Sequence, residues 1–223
     1  MDDKPPVRII TIDGPTASGK GTIASEVARK LGFHYLDSGA LFRLAALSCL
    51  TQKVALSDEV ACSAVTRQMR PCFRDGKVFL DDKDVTDTIR EEAVGLAASR
   101  VATMATVRSA ILGLERDFCR APGLVADGRD MGTVVFPNAC LKVFLTAGAQ
   151  VRAQRRYKQL IQRGISANLA DLLRDLQERD KRDRERAVSP TRPAPDARLL
   201  DSSDQTIEQT VRCVLDWYCA LKK

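Results

Sequence analysis

The sequence contains no run of about eighteen or more apolar residues, so no segment reads as a membrane-spanning helix. Its start, MDDKPPVR, is acidic and then proline-bearing. It has no apolar h-region and does not read as a signal peptide. No two of the seven cysteines (Cys49, Cys62, Cys72, Cys119, Cys140, Cys213 and Cys219) stand at a C-x-x-C spacing, and their number is odd. A zinc site or a disulfide framework is therefore disfavoured. Reduced thiols in a cytosol are expected, serving as small buried apolar residues. There is one histidine, His34, at the start of a predicted strand. Metal sites and catalytic triads need partners it lacks, so a structural role is expected. Internal repeats and low-complexity tracts are also missing.

What is present is ordinary for a soluble globular chain. Of 223 residues, 44% are hydrophobic and 29% charged, enough for one large domain or a core with a small insert. The formal net charge of +6 suits an anionic partner, which need not be a polymer. VRIITI reads as a buried parallel strand. In the helix after it, Ile23, Val27 and Leu31 fall four apart on one face, with Gly32 as C-cap. FHYLD predicts a second strand and GALFRLAALSCL a second helix. CFRDGKVFLDDKDVT predicts two strands around Asp75-Gly76, a hairpin interrupting the alternation. Residues from about Glu91 to Cys119 read as helical. GLVADGRDMG and CLKVFLT predict two more strands, and two long charged helices follow. After the break at PTRPAPDA, RLLDSS predicts a last strand, and a closing helix starts at a Ser203 or Asp204 cap. Trp217 and Tyr218 in that helix read as packing residues. Strand and helix in alternation imply an α/β fold with a doubly wound parallel sheet.

Between the first strand and first helix stands GPTASGKGT, which fits G-x-x-x-x-G-K followed by Gly-Thr. Small residues let consecutive backbone N–H groups turn inward around a phosphate. The helix adds a partial positive charge at its N-terminus. Lys20 adds a full charge on a flexible stem, and Thr22 a hydroxyl near the phosphates or a metal ion. The strand before and the helix after supply the context the motif requires, so a nucleoside triphosphate is the expected first ligand. The motif alone does not separate a kinase from a GTPase or a motor.

Three further stretches bear on a second substrate. LDSGALFR puts Asp37, Ser38 and Arg43 near the end of the second strand, and ligands of open α/β sheets sit at carboxyl ends. An arginine there can grip a phosphate with two parallel bonds. ADGRDMGT places Asp127, Arg129 and Asp130 after a third strand, with Asp127 where a carboxylate could order Mg²⁺ or its waters. In QERDKRDRERA, Arg179, Asp183 and Arg186 fall four and three apart on one predicted helical face. That run could equally be a solvated face of ion pairs or a nucleic-acid patch. Interleaved Asp183 and Glu185 would repel a DNA backbone but could hold arginines for phosphoryl transfer.

Taken together, ITIDGP, GKGT, LDSGA, ADGRDMGTVVFP and ERDKRDRERAV resemble, in order and spacing over essentially the whole chain, the bacterial cytidylate kinase family of nucleoside monophosphate kinases. DGRDMGTVVFP is the specific part. The resemblance implies a five-stranded P-loop core at about 1–62 and 101–223, a hairpin-containing monophosphate-binding insert at about 63–100, and a short helical lid at about 152–170. It implies that ATP with Mg²⁺ phosphorylates CMP or dCMP. Gly14, Pro15, Thr16, Ala17, Ser18, Gly19, Lys20, Gly21 and Thr22 would bind ATP. Ser38, Arg43, Ser99, Arg108, Arg129, Asp130, Arg179, Asp183 and Arg186 would bind the acceptor, with Ser99, Arg108 and Asp130 on the cytosine edge. Lys20, Arg129, Asp127, Arg186 and Asp183 would carry catalysis, and no side chain is assigned as a direct metal ligand. Cytosine offers an exocyclic amine where uracil has a carbonyl, so a buried acceptor there would discriminate. The implied partners are small molecules, with no nucleic acid and no membrane, and a cytoplasmic monomer is expected.

This chain departs from the family pattern at Phe42, where many relatives carry Tyr, and at Ala17, where some carry Gly. The Ala17 backbone N–H remains, so nucleotide binding is expected to survive. A GTPase switch would need N-K-x-D, which is missing. A kinase for another small acceptor shares the loop but has little use for the insert and the many arginines. A basic nucleic-acid-binding protein is the non-enzyme alternative, and steep salt dependence would reveal it.

Overall fold

The structure, a computed structural model, describes residues 7–74, 76–162 and 164–221. They form two compact units, one from the described residues up to 36 and from 118 onward, the other from those between 37 and 117.

The first unit is built on a five-stranded sheet. Its strands are β1 (Arg8–Asp13), β2 (His34–Asp37), β6 (Gly123–Gly128), β7 (Leu141–Thr146) and β8 (Arg198–Asp201), in the order β2-β6-β1-β7-β8. β1 pairs parallel with β6 on one side and β7 on the other, and β7 pairs parallel with β8. Ile10, Thr11 and Ile12 are fully buried, as a central strand covered on both faces requires. Full burial of Ile10 and of Ile12 contributes about 1.5–3 kcal/mol each.

Helix α1 (Lys20–Leu31) packs on β6 and on α8 (Ile207–Ala220). Its face of Ile23, Ala24, Val27 and Ala28 meets Val125, Val143, Val211, Val214 and Tyr218 in one core. Gly32 ends α1 in the left-handed conformation, with φ of 65°. Helices α6 (Ala149–Gln162) and α7 (Leu169–Glu185) pack on each other. The 152–170 stretch expected to form a lid covers most of α6, the connection and the first residues of α7, and Arg163 lies outside the described residues.

The second unit contains α2 (Ser38–Thr51), α3 (Glu59–Gln68), α4 (Glu92–Val101) and α5 (Ala105–Asp117), with a 3₁₀ turn at Thr88–Arg90. Asp37 caps α2 by accepting from the Ala40 N–H at 3.0 Å. The hairpin is present as β3 (Pro71–Arg74) and β4 (Lys77–Leu80), paired antiparallel, and a short third strand, β5 (Lys83–Asp84), joins β4. Asp75 of the expected turn lies outside the described residues. The helical stretch after Glu91 is two helices, broken between Val101 and Ala105.

Three sequence expectations need correction. The closing helix is capped by Thr206, not by Ser203 or Asp204. Thr206 and Gln209 form a reciprocal capping box, while the Ser203 hydroxyl and N–H are drawn back to Asp201. Arg186 does not share a helical face with Arg179 and Asp183. α7 ends at Glu185, and Arg186 is an extended C-cap residue, its N–H donating to the Arg182 carbonyl. Nor are the cysteines uniformly buried: Cys49 and Cys62 are, but Cys72, Cys140 and Cys219 are exposed, and all seven are free thiols.

Candidate active site

The glycine loop leaves the sheet at the carboxyl end of β1, where Gly14 has φ of 156°. A Cβ there would lie 2.0 Å from the Leu145 carbonyl oxygen, so only glycine lets the loop pass β7 this closely. Ala17 at φ 56° and Gly19 at φ 89° turn the chain into α1. Ala17 thus stands in the region glycine prefers, a strain of about 1–2 kcal/mol. No acidic residue occupies the first turn of α1, so its positive end is left for an anion. Lys20 opens that helix, and its Nζ donates to the Pro15 carbonyl at 3.2 Å.

Two arginines of α6 hold this loop from its carbonyl side. Arg152 Nη1 donates to the Thr16 carbonyl at 3.1 Å and Nε to the Ala147 carbonyl at 2.8 Å. Its Nη2 pairs with Asp180 Oδ2 at 2.7 Å, and both side chains are about 95% buried. Arg155 Nη1 donates to the Ser18 carbonyl at 3.2 Å and to the Ser202 hydroxyl. With their carbonyls engaged, the loop's amides are free to turn the other way.

Asp127, near the end of β6, is buried and accepts a 2.6 Å hydrogen bond from the Tyr35 hydroxyl. A Cβ on Gly21 would come within 3.9 Å of that carboxylate, which puts it beside the first turn of α1. Beyond β6, Arg129 Nε donates to Asp183 Oδ2 at 3.1 Å. Burial alone would raise the Asp183 carboxyl, but Arg129, Arg179 and Arg186 together outweigh it and hold it below the usual carboxylate range. These four residues therefore form one charged group in the first unit. Arg186 Nε donates to the Ser189 carbonyl at 2.6 Å.

Asp13, the last residue of β1, was not among the residues the sequence singled out, although ITIDGP displays it. Its two carboxylate oxygens accept from the Met131 and Gly132 N–H groups, each at 2.8 Å. Burial pushes its carboxyl up to about 6, against those two hydrogen bonds. Asp130, one residue before Met131, is itself 2% exposed.

The other sequence-predicted residues belong to the second unit. Ser38, at the start of α2, donates its hydroxyl to buried Glu115 Oε1 at 2.6 Å. Arg43 Nη1 donates to the Ile89 carbonyl at 2.7 Å, and its guanidinium packs against Gly95. Ser99, half-buried, is one turn beyond Gly95 on α4. Arg108 donates to the Ala102 carbonyl at 3.1 Å, its guanidinium 5.1 Å from the centre of the Phe42 ring. Phe42 thus offers its ring face to the Arg108 guanidinium. His34 donates its Nε2–H to the Ala121 carbonyl, 2.8 Å away, a local structural contact. Tyr35, Arg152, Arg155, Asp180 and Glu115 were also missed. Tyr35 and Glu115 stand in or beside apolar runs, a signal that was available, whereas Arg152, Arg155 and Asp180 are lost among the other charges of their helices.

Residues 10–219 match the family described as Cytidylate kinase. The Cytidylate kinase of Bordetella pertussis is 58% identical over 212 residues, covering 95% of this chain and 95% of that one. The Cytidylate kinase of Polynucleobacter asymbioticus is 56% identical over 212 residues, 95% of this chain and 96% of its own. That of Cupriavidus pinatubonensis is 55% identical over 217 residues, covering 97% and 98%. The match spans both units, and the chain belongs to the cytidylate kinase family.

Proposed function

We propose that this chain transfers the γ-phosphoryl group of ATP to CMP or dCMP, giving CDP or dCDP and ADP. The observation that carries this reading is the correspondence with cytidylate kinases over residues 10–219. The loop geometry supports it: a glycine-lined turn at the carboxyl end of the central strand, opening a helix with Lys20.

The acceptor's phosphate oxygen is already anionic near neutral pH, so no strong general base is needed. The chain has to hold that oxygen in line with the γ-phosphorus and balance the charge. Backbone N–H groups of Gly14, Pro15-flanking Thr16, Ala17, Ser18, Gly19 and Gly21 cradle the triphosphate, and Lys20 follows the moving phosphoryl group. Arg129, Arg179 and Arg186 take the acceptor and transferred phosphates. Asp183, kept ionised by those arginines, orients Arg129. Ser99, Arg108 and Asp130 read the cytosine edge, and Ser38 and Arg43 complete the acceptor set. Where cytosine's amine meets an acceptor, uracil's carbonyl leaves two acceptors facing, a cost of about 1–3 kcal/mol.

ATP would come with Mg²⁺, and the residues fit that ion. Asp127 presents a buried carboxylate pinned by Tyr35 beside the first turn of α1, where Thr22 also stands. Among the described residues no three His, Cys, Asp or Glu side chains cluster to cage a metal. Mg²⁺ does not need one, since it keeps its waters and phosphate ligands. Bound there, it would withdraw charge from the phosphate oxygens.

Against the nucleic-acid alternative, acidic Glu178 and Glu185 stand exposed among Lys181, Arg182 and Arg184 on α7, where they would oppose a polyanionic backbone. Among the described residues no helix is long and apolar enough to cross a membrane. The reading includes a cytosolic monomer, a setting in which seven free thiols are at home.

Phosphorus NMR of a mixture of enzyme, ATP, Mg²⁺ and CMP tests the reaction. CDP and ADP should appear in equal amounts as the γ signal of ATP disappears. Inorganic phosphate as the main product would refute it.

A further inference from the structure

We infer that Asp13 is a positioning residue for the acceptor side of the reaction: by gripping the Met131 and Gly132 backbone N–H groups, it fixes where Arg129 and Asp130 stand. The inference rests on the function proposed above only for the roles of Arg129 and Asp130.

The anchor is rigid. Asp13 is held on both sides within the sheet, in register with Gly128 of β6 and Phe144 of β7. The residue after it, Gly14, cannot shift toward β7, because the Leu145 carbonyl already occupies the space a side chain would need. The gripped segment, the π-helical turn Met131–Val135, is pressed on the same strand. A Cβ on Gly132 would lie 2.8 Å from Thr11 Oγ1, so the turn rests directly on β1.

The bond pattern requires a carboxylate. Two N–H donors at 2.8 Å address two separate oxygens. An asparagine has one acceptor and would turn its own N–H toward the second donor. The price is a charge buried at the core of the sheet, 5% exposed. Two charged groups face it: Asp130, which opposes its ionisation, and Lys20, which favours it. The carboxyl is accordingly pushed up to about 6 by burial. Such a group is an unfavourable way to secure a turn unless the exact placement of that turn matters. Its immediate neighbours in sequence are the phosphate loop on one side and, across the hydrogen bonds, Arg129 and Asp130 on the other.

Two measurements decide it. The first uses the ligand-free wild-type enzyme, with amide signals followed by nitrogen-15 NMR as pH is lowered. The Met131 and Gly132 amide protons should titrate together with a midpoint near 6, and the Asp13→Asn variant should lose that titration. Amides that do not respond in the wild type would overturn the inference, whatever the enzyme phosphorylates. The second compares kinetics near neutral pH. Asp13→Asn should lose about tenfold or more in kcat/KM for CMP, the scale of a slightly misplaced site, with the dissociation constant for ADP changed by less than about threefold. Asp13→Glu, which keeps charge and both acceptors, should lose less and serves if the amide variant does not fold. Wild-type CMP kinetics in the variant, or equal losses on both nucleotides, would reduce Asp13 to a scaffold residue. A wild type that titrates but consumes no CMP would instead sink the proposed function and leave the grip intact.

Discussion

Replacing Arg152 should damage stability and nucleotide handling by separable routes. Its guanidinium bonds Ala147, Thr16 and Asp180 at once, and only about 5% of the residue is exposed. Asp180 is equally buried, with Oδ2 on Arg152, so Arg152→Met leaves that carboxylate without its counter-ion inside the protein. Breaking one partner from a buried pair costs about 3–5 kcal/mol. Against a total stability of roughly 5–15 kcal/mol, that is a third or more of the margin. Replacing both members with apolar residues, Arg152→Met with Asp180→Leu, removes the stranded charge and should return stability to within about 1–2 kcal/mol of wild type. The Thr16 carbonyl, however, stays untethered in the double variant. Its KM for ATP should therefore remain raised by about tenfold. Urea unfolding followed by circular dichroism gives the first quantity, and a coupled ADP-release assay the second. Two results would refute the reasoning. One is a single variant destabilised by less than about 1 kcal/mol. The other is a double variant in which ATP affinity recovers along with stability.

Asp13 also sets a pH dependence of stability. Its folded-state carboxyl is raised from 3.8 to about 6, so the folded protein holds the proton more tightly than the unfolded chain, and its contribution weakens as pH rises through that window. The wild type should accordingly lose about 3 kcal/mol relative to Asp13→Asn between acid and neutral pH, measured as the difference in their unfolding free energies. Asp183 acts in the opposite sense, because its lowered carboxyl stabilises the fold above the ordinary value and loses that contribution on acidification. Lys20→Met should abolish turnover while leaving the circular dichroism spectrum and melting temperature close to wild type. Arg186→Ala should lower kcat more than CMP affinity, and equal losses would mean a plain ground-state grip.

Much of the fold could be read from local pattern, because buried parallel strands announce themselves as apolar runs. VRIITI, GLVADG and CLKVFLT are all strands of the sheet. Boundaries were harder where hydroxyls compete for one backbone. Ser203 looked like a helix cap, but Asp201 captured it, and the capping box fell to Thr206. Arg186 looked helical because the charged run continues unbroken through it, yet α7 stops at Glu185. The glycine loop was legible as a motif, since its chemistry is contained within nine consecutive residues. The supports of that loop were not. Arg152 reaches Thr16 across 136 positions, and Asp13 reaches Met131 across 118. Nothing in either local sequence marks such pairings. The exposure of Cys72, Cys140 and Cys219 is hidden for the same reason.

The most direct test of the cytidylate assignment is a coupled ADP-release assay run with CMP, dCMP, UMP, AMP and GMP as acceptors. CMP and dCMP should be consumed faster than UMP by about fivefold to a hundredfold, the range that one mispaired buried polar group supports. UMP consumed as fast as CMP would contradict the roles given to Ser99, Arg108 and Asp130.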